Sequence, residues 1–381
     1  MSIRARQCLA LLAALPLLVG LPLLGAGLAG KPLTQYMEFP PTTHYVQHAP
    51  FSWPFFAVMV AITAGVVTPL VTHVLRSQSQ ELSTPGLRAP GDAVFPWWGW
   101  AALIAGILAW ILAWTRFPWF SFLQPLTFTP QWLAFIGVVN ALTKWRSGRC
   151  LFDNHPARVI GLFLLSASFW WFFEYLNRFV QNWYYVGIRN FSPFQYFLYA
   201  TLPFSTVLPA VISTSQLLAT FPTLTAGLER FVQLRPREPR LIAAVGLLAS
   251  SLGLAGLAIW PNYLFPLVWL APLGLVTAFQ ALLGCPTMFA TLRHGDWRRI
   301  VLLALAALIC GFFWELWNYG SLAKWIYSVP FVNRFRIFEM PLVGYAGYLP
   351  FGLECGVIAD IIPTAGETAL PATTRSADYR I

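Results

Sequence analysis

The chain has 381 residues, of which 57% are hydrophobic and only 10% are charged. Soluble globular domains carry about 25% charged residues, so this composition excludes an ordinary water-soluble protein and predicts an all-α integral membrane fold. The net charge of +10 does not indicate a nucleic-acid partner, because the basic residues lie mostly in short loops between apolar runs. We therefore expect membrane lipids to be the immediate partners of the chain.

A transmembrane helix needs about 20 predominantly apolar residues, and ten runs of the sequence meet this requirement. The predicted spans lie near 8–29, 53–75, 97–115, 124–143, 158–177, 195–218, 241–259, 262–284, 299–318 and 342–362. The first run has a second interpretation, because Arg4, Arg6 and the small residues 25–30 also fit a secretory signal peptide. The length of this run favours a retained helix.

The distribution of lysine and arginine predicts how the spans are oriented. When ten spans alternate, 17 of the 24 basic residues fall on the side of the N-terminus and 7 fall on the opposite side. Cytoplasmic loops are enriched in these residues. We therefore predict a multi-pass protein of the cell (inner) membrane with its N- and C-termini in the cytoplasm.

An internal repeat is the most informative pattern in the sequence. Three strings recur in the same order at offsets of 141 to 147 residues: FFEYLN at 172–177 and FWELWN at 313–318, WYY at 183–185 and WIY at 325–327, and YATLPF at 199–204 and YAGYLPF at 345–351. Each repeat contains four predicted spans, and an even number returns the chain to the same side. The repeats should therefore be parallel and related by a pseudo-twofold axis along the membrane normal.

The repeat divides the chain into five predicted segments. They are two N-terminal transmembrane helices with a linker over 1–94, a first four-helix repeat over 95–218, a cytoplasmic linker over 219–240, a second four-helix repeat over 241–362, and a disordered cytoplasmic tail over 363–381.

Three glutamates fall inside the predicted spans, where an ionisable group is costly and marks a candidate functional site. Glu174 and Glu315 occupy equivalent positions in the two repeats, whereas Glu354 lies about 12 residues into the last span and has no acidic counterpart. We predict that these three residues are catalytic acid or base groups, and that Glu354 has a polar partner among Glu315, Asn318, Gln280 and Asn140. The alternative is a structural role, since polar side chains also join helices to one another.

The segments that follow the two matched glutamates are rich in amide, aromatic and basic residues. The predicted substrate-binding residues are Asn177, Asn318, Trp183, Trp325, Tyr327, Arg334 and Arg336. Arginine binds phosphate bidentately, so a lipid headgroup or phosphate site is one interpretation. The other is an interfacial segment in which aromatic rings and long basic side chains anchor the chain at the membrane surface.

We predict neither a metal site nor a cofactor. His44 and His48 near Glu38 provide too few definite ligands, and the five cysteines contain no C-x-x-C pair. The sequence also lacks a P-loop, a G-x-G-x-x-G string and an H-E-x-x-H string, which argues against an ATP-driven pump, a nucleotide-dependent enzyme and a zinc protease.

Three functional hypotheses follow from this pattern. The leading one is an enzyme or binding protein that acts on a lipid or isoprenoid at a polar intramembrane site between the repeats. A secondary transporter or channel that uses the same glutamates is the second, and a structural subunit of a membrane complex or a homo-oligomer is the third. Discontinuous helices in both repeats would favour transport, and a single aromatic cavity accessible to lipid would favour lipid binding.

Overall fold

The computed structural model describes residues 3–41, 44–81, 94–154, 156–188 and 190–362. Within these residues the fold is mostly helical, and the described strands form only two two-stranded sheets. The helical class predicted from composition is therefore confirmed. The predicted tail over 363–381 and residues 82–93 of the predicted N-terminal linker lie outside the described residues.

Thirteen α-helices and four short strands make up the regular structure of the described residues, together with several 3-10 turns. The helices are α1 Ile3–Leu28, α2 Trp53–Glu81, α3 Trp97–Trp114, α4 Phe128–Ser147, α5 Leu151–Asn154, α6 Pro156–Val180, α7 Pro193–Phe204, α8 Val207–Ala219, α9 Pro239–Ile259, α10 Pro261–Leu264, α11 Leu267–Leu282, α12 Arg298–Gly320 and α13 Tyr348–Ala359. The strands are β1 Trp183–Val186, β2 Lys324–Tyr327, β3 Arg336–Ile337 and β4 Met340–Pro341.

Eight helical segments of the described residues are long and apolar enough to cross a membrane. They are Ala5–Leu28, Trp53–Ser79, Trp97–Trp114, Pro156–Val180, Pro193–Ala219, Pro239–Ile259, Arg298–Gly320 and Leu342–Ala359. Two predicted spans are absent from this set. The span predicted near 262–284 divides into α10 and α11, and α11 has only 16 residues. The span predicted near 124–143 corresponds to α4, which buries Gln131, Asn140 and Thr143.

The last span of each predicted repeat is interrupted. In the first, α7 ends at Phe204 and α8 begins at Val207, directly after Pro203, whose ring and missing N–H disfavour a continuous helix. In the second, the 3-10 helix Leu342–Gly347 leads into α13, and Pro350 lies in the first turn of α13, where proline is well tolerated.

Helices α8 and α13 lie at the centre of the bundle. Eight consecutive residues of α8, from 207 to 214, are buried, and α8 packs against α4, α6, α12 and α13. Helix α13 also packs closely on α12, because a Cβ added to Gly352 would lie 2.2 Å from the backbone oxygen of Leu303. By contrast, the most apolar window of α2 has no buried residue, so α2 lies at the periphery.

Strands β1 and β2 join the segments that follow α6 and α12. They pair antiparallel, with Trp183 opposite Tyr327, Tyr185 opposite Trp325 and Tyr184 opposite Ile326. In the matched WYY and WIY strings, Trp183 corresponds to Trp325 and Tyr185 corresponds to Tyr327. The pair Trp183–Tyr327 is therefore equivalent to the pair Trp325–Tyr185. The ladder thus has the local twofold relation that a parallel repeat predicts for these two strands.

Candidate functional site

A cavity of about 300 Å³ lies between the two halves of the bundle. Of its 35 lining residues, 15 are aromatic. The lining residues come from both strands of the β1–β2 ladder, from the two interrupted spans and from the face of α2 that carries Met59 and Ile62. Ligand sites in proteins are typically concave and mostly apolar with a few placed polar groups, and this cavity has that character.

The carboxyl group of Glu174 is buried directly behind the cavity wall. Its Oε1 accepts hydrogen bonds from Trp170 Nε1 at 3.0 Å, Trp183 Nε1 at 3.1 Å and the Tyr185 hydroxyl at 2.6 Å. All three donor residues line the cavity. Glu174 therefore fixes the orientation of three rings in the wall, and those rings separate it from the cavity.

Glu315 has a matching but less complete set of donors. Its Oε1 accepts from the Tyr327 hydroxyl at 2.8 Å and the Tyr348 hydroxyl at 2.9 Å, and Trp325 Nε1 donates to the Tyr327 hydroxyl at 2.9 Å. The Oε2 atom is buried and has no hydrogen-bond partner among the described residues. Both of its tyrosine donors line the cavity, so the two glutamates hold opposite halves of one aromatic wall.

The tyrosines of the β1–β2 ladder act as permanent hydrogen-bond donors. Burial raises the pKa of Tyr185 and that of Tyr327 well above the usual value of 10.0, and the nearby carboxyl groups raise both further. The two phenols therefore stay protonated throughout the physiological pH range. They can transmit a hydrogen bond between a buried carboxyl group and a ligand in the cavity.

Asn177 and Asn318 hold the turn that leads from each helix into its strand. Asn177 Nδ2 donates to the Trp183 carbonyl at 2.8 Å, and its Oδ1 accepts from the backbone N–H of Asn182 at 2.8 Å. Asn318 bonds both the carbonyl and the N–H of Trp325, at 2.8 and 2.9 Å. Neither asparagine is among the residues lining the cavity. They position Trp183 and Trp325, and we assign them a positioning role.

Replacing Asn318 with alanine should lower the stability of the protein by about 1–3 kcal/mol, because the buried Trp325 N–H and carbonyl would lose their partner. The measurement is the thermal unfolding midpoint in detergent. Asn333→Ala is the matched control, since the Asn333 side chain accepts a bond from the exposed Arg336. Equal midpoints for the two variants would show that the Asn318 amide contributes no stability.

Glu354 is 3% exposed and faces the interior of the bundle. Both carboxyl oxygens are buried and lack a hydrogen-bond partner among the described residues. We expected Asn140, Gln280, Glu315 or Asn318 to pair with it, and none does. Asn140, for example, donates instead to Ser213 Oγ at 2.8 Å.

Glu354 is nevertheless close to the cavity. Pro350 and Phe351, one turn earlier in α13, both line it, although Glu354 itself does not. The side chains around Glu354 include Cys355 and, through it, Cys310, which lies 3.5 Å from the hydroxyl of Thr214. The carboxyl group is therefore a buried polar group without a partner among the described residues, and it lies one helical turn from residues that line the cavity.

The two outer-loop arginines do not line the cavity. The Arg334 guanidinium lies over the ring of Phe51 at 4.8 Å. Arg336 donates to Asn333 Oδ1 at 2.7 Å and lies 3.8 Å from Glu339. These contacts fit the interfacial interpretation of the loop rather than a phosphate site facing the cavity.

His48, one half of the histidine pair near Glu38, lies between two segments of the fold. Its Nδ1 is 3.0 Å from Asn262 Oδ1 and its Nε2 is 3.1 Å from the Gln181 carbonyl. Within the residues that the structure describes, no group of three or more His, Cys, Asp or Glu side chains could hold a metal ion. His48 therefore links the segment before α2 to α10 and to the end of α6.

Several site residues were not predicted from the sequence. Trp170 and Tyr348 donate to the two glutamates, and Trp269 stacks on Phe173 with ring centroids 5.0 Å apart. Trp170 lies four residues before Glu174, the spacing of one helical turn, and Tyr348 lies inside the repeated YAGYLPF string. These two sequence patterns could have identified Trp170 and Tyr348 as site residues. The position of Trp269 depends on tertiary packing, which the sequence does not reveal.

The arrangement combines an aromatic cavity, two carboxyl groups that hold its wall, and a third carboxyl group without a partner. Such a site can enclose an apolar molecule and present phenol and indole donors to it. No protein-family model, curated protein or solved structure matches this chain.

Proposed function

We propose that this protein binds a lipid or isoprenoid in the cavity between two parallel four-helix repeats. The observation that carries the proposal is the origin of the cavity wall: its aromatic rings are the hydrogen-bond donors to Glu174 on one side and to Glu315 on the other. A cavity walled by indole and phenol rings suits an apolar chain, because aromatic side chains bury large areas of apolar surface.

The route into the cavity also favours a lipid ligand. Met59, Ile62 and Thr63 of α2 form part of the wall, and no residue in the apolar window of α2 is buried. Helix α2 therefore stands between the cavity and the surrounding lipid. A membrane-soluble molecule could enter beside it without crossing the aqueous phase.

In this proposal Glu354, one helical turn from the lining residues Pro350 and Phe351, is the candidate acid or base group, and Glu174 and Glu315 act through the rings that they orient. The proposal includes the repeat itself, which is supported by the equivalent bonds of Asn177 and Asn318 and by the register of the β1–β2 ladder. It also includes an inner-membrane location with both termini in the cytoplasm, supported by the distribution of basic residues.

The proposed orientation predicts the location of reporter fusions. Fusions ending at Arg149 or Arg237 should report the cytoplasm, and a fusion ending at Arg334 should report the outer side, because basic loops are retained inside. Alkaline phosphatase and green fluorescent protein, fused at the same positions, give opposite readings. A cytoplasmic reading at Arg334 would contradict the proposed topology.

A secondary transporter is the second candidate, because both repeats contain an interrupted helix that lines the cavity at Pro203 and at Pro350. Interrupted helices at the interface of repeats are typical of transporter binding sites. Transport predicts solute flux into proteoliposomes, whereas lipid binding predicts retention of a lipid by the purified protein.

The proposal is tested by native mass spectrometry of the protein purified in mild detergent. Wild-type protein should retain a lipid, and the variants Ala200→Phe and Ala346→Phe, which place a ring in the cavity from either half, should lose it. The control is Ala105→Phe on the exposed face of α3, and the thermal midpoint of each variant shows whether it is folded. Retention of the lipid by both folded cavity variants would overturn the proposal.

A further inference from the structure

We infer that the ligand of this cavity is electrically neutral and ends in a hydroxyl group, as a long-chain isoprenoid alcohol does, rather than in a phosphate. The inference rests on the proposed function and names the class of ligand within it. It is drawn from the charges of the wall and from two buried polar side chains that line it.

Among the 35 described residues that line the cavity, none is Asp, Glu, Lys, Arg or His. A phosphate or a carboxylate in such a site would be a buried charge without a partner, which is strongly unfavourable in an apolar environment. An ammonium group would face the same cost. The carboxyl groups of Glu174 and Glu315 do not compensate for a cation, because the tryptophan and tyrosine rings lie between them and the cavity.

Four basic side chains of the described residues, at or near the ends of α6 and β2 and in the loop after β2, make other contacts. Arg178 donates to the Tyr36 carbonyl at 2.5 Å, and Lys324 forms an ion pair with Glu339 at 2.7 Å. The Arg334 guanidinium lies over the Phe51 ring, and Arg336 donates to Asn333 Oδ1 and to the Tyr327 carbonyl and lies 3.8 Å from Glu339. A bound phosphate would have to break these contacts to recruit a counter-charge.

Two polar side chains of the wall lack a hydrogen-bond partner. Asn182 and Tyr196 line the cavity and are each 5% exposed. Within the described residues, the Asn182 Oδ1 atom and the Tyr196 hydroxyl are buried without a partner. Leaving such atoms unpaired is unfavourable, and the terminal torsion of an asparagine side chain is soft enough to turn the amide towards a ligand. A ligand hydroxyl group can donate to the amide oxygen or accept from the phenol.

The test compares three C15 probes with the full-length protein in phosphatidylcholine nanodiscs: farnesol, farnesyl monophosphate and the matching hydrocarbon farnesane. We expect farnesol to bind about ten-fold more tightly than either of the others, since the hydrocarbon leaves the polar pair unsatisfied and the phosphate buries a charge. Binding is measured by competition against radiolabelled farnesol.

Two variants locate the polar end of the ligand. Asn182→Leu and Tyr196→Phe should each reduce the affinity for farnesol towards that for farnesane, and leave the affinity for farnesane unchanged. Tighter binding of the monophosphate, or equal binding of farnesol and farnesane, would overturn this inference and leave the proposed cavity function intact. Failure of all three probes to bind would overturn the inference together with the proposed function.

Discussion

Replacing Glu354 with methionine should raise the stability of the protein and abolish its action on the bound molecule. The carboxyl oxygens of Glu354 are buried without a hydrogen-bond partner in the described residues, and an unsatisfied buried polar group costs about 1–3 kcal/mol. The methionine side chain has a similar volume, contains no strongly polar group that burial would leave unpaired, and is flexible enough to fit the site. The thermal unfolding midpoint in detergent should therefore rise.

Two further variants separate chemistry from packing at this site. Glu354→Gln keeps the size and polarity of the side chain and removes the exchangeable carboxyl proton, so it should be inactive without a gain in stability. Val207→Glu places a carboxyl group at the corresponding buried position of the first half, and should destabilise the protein without adding function. A lower unfolding midpoint for Glu354→Met would show that the carboxyl group of Glu354 stabilises the bundle. It would contradict the expectation that this group is kept for function although it lowers the stability of the protein.

Replacing Glu315 with alanine should destabilise the protein by about 2–5 kcal/mol. The variant would leave the hydroxyl groups of Tyr327 and Tyr348 without their acceptor, and each unsatisfied buried group costs about 1–3 kcal/mol. It would also open a cavity where the side chain lay. Because both tyrosines belong to the wall, ligand retention should fall with stability.

Glu315→Gln provides the matched comparison, since its amide oxygen can accept from the same two hydroxyl groups and should preserve most of the stability. Glu229→Ala, at an exposed position in the 3-10 turn Leu228–Arg230, controls for the loss of a carboxyl group on the surface. If Glu315→Ala and Glu229→Ala unfold at the same temperature, the two tyrosine bonds do not hold the wall.

The membrane class and much of the site could be predicted from residue patterns. Burial in lipid requires apolar runs that stand out in composition, and the FFEYLN and FWELWN strings marked the two glutamates that hold the wall. The paired asparagines were also found this way, although the structure places them behind the cavity, where they bond Trp183 and Trp325.

The features that sequence reasoning missed depend on tertiary packing. Helix α4, which was predicted as a span, is absent from the set of long apolar helices, and it buries the polar side chains Gln131, Asn140 and Thr143. The partner of Glu354 was expected from sequence neighbours on polar faces, and the packing of α13 against α11 and α12 brought none of those side chains to it. Helix rotation decides such contacts, and composition does not reveal it.

Photo-crosslinking tests directly whether a lipid occupies the cavity between the two halves. The protein in nanodiscs is labelled with a C15 isoprenoid alcohol that carries a diazirine group, and the modified peptides are mapped by mass spectrometry. We expect adducts within 193–207 and within 323–351, which are cavity-lining segments of the two halves. Excess unlabelled alcohol or the Ala346→Phe substitution should remove these adducts. Adducts confined to the exposed faces of α2 and α3, and insensitive to competition, would contradict this expectation.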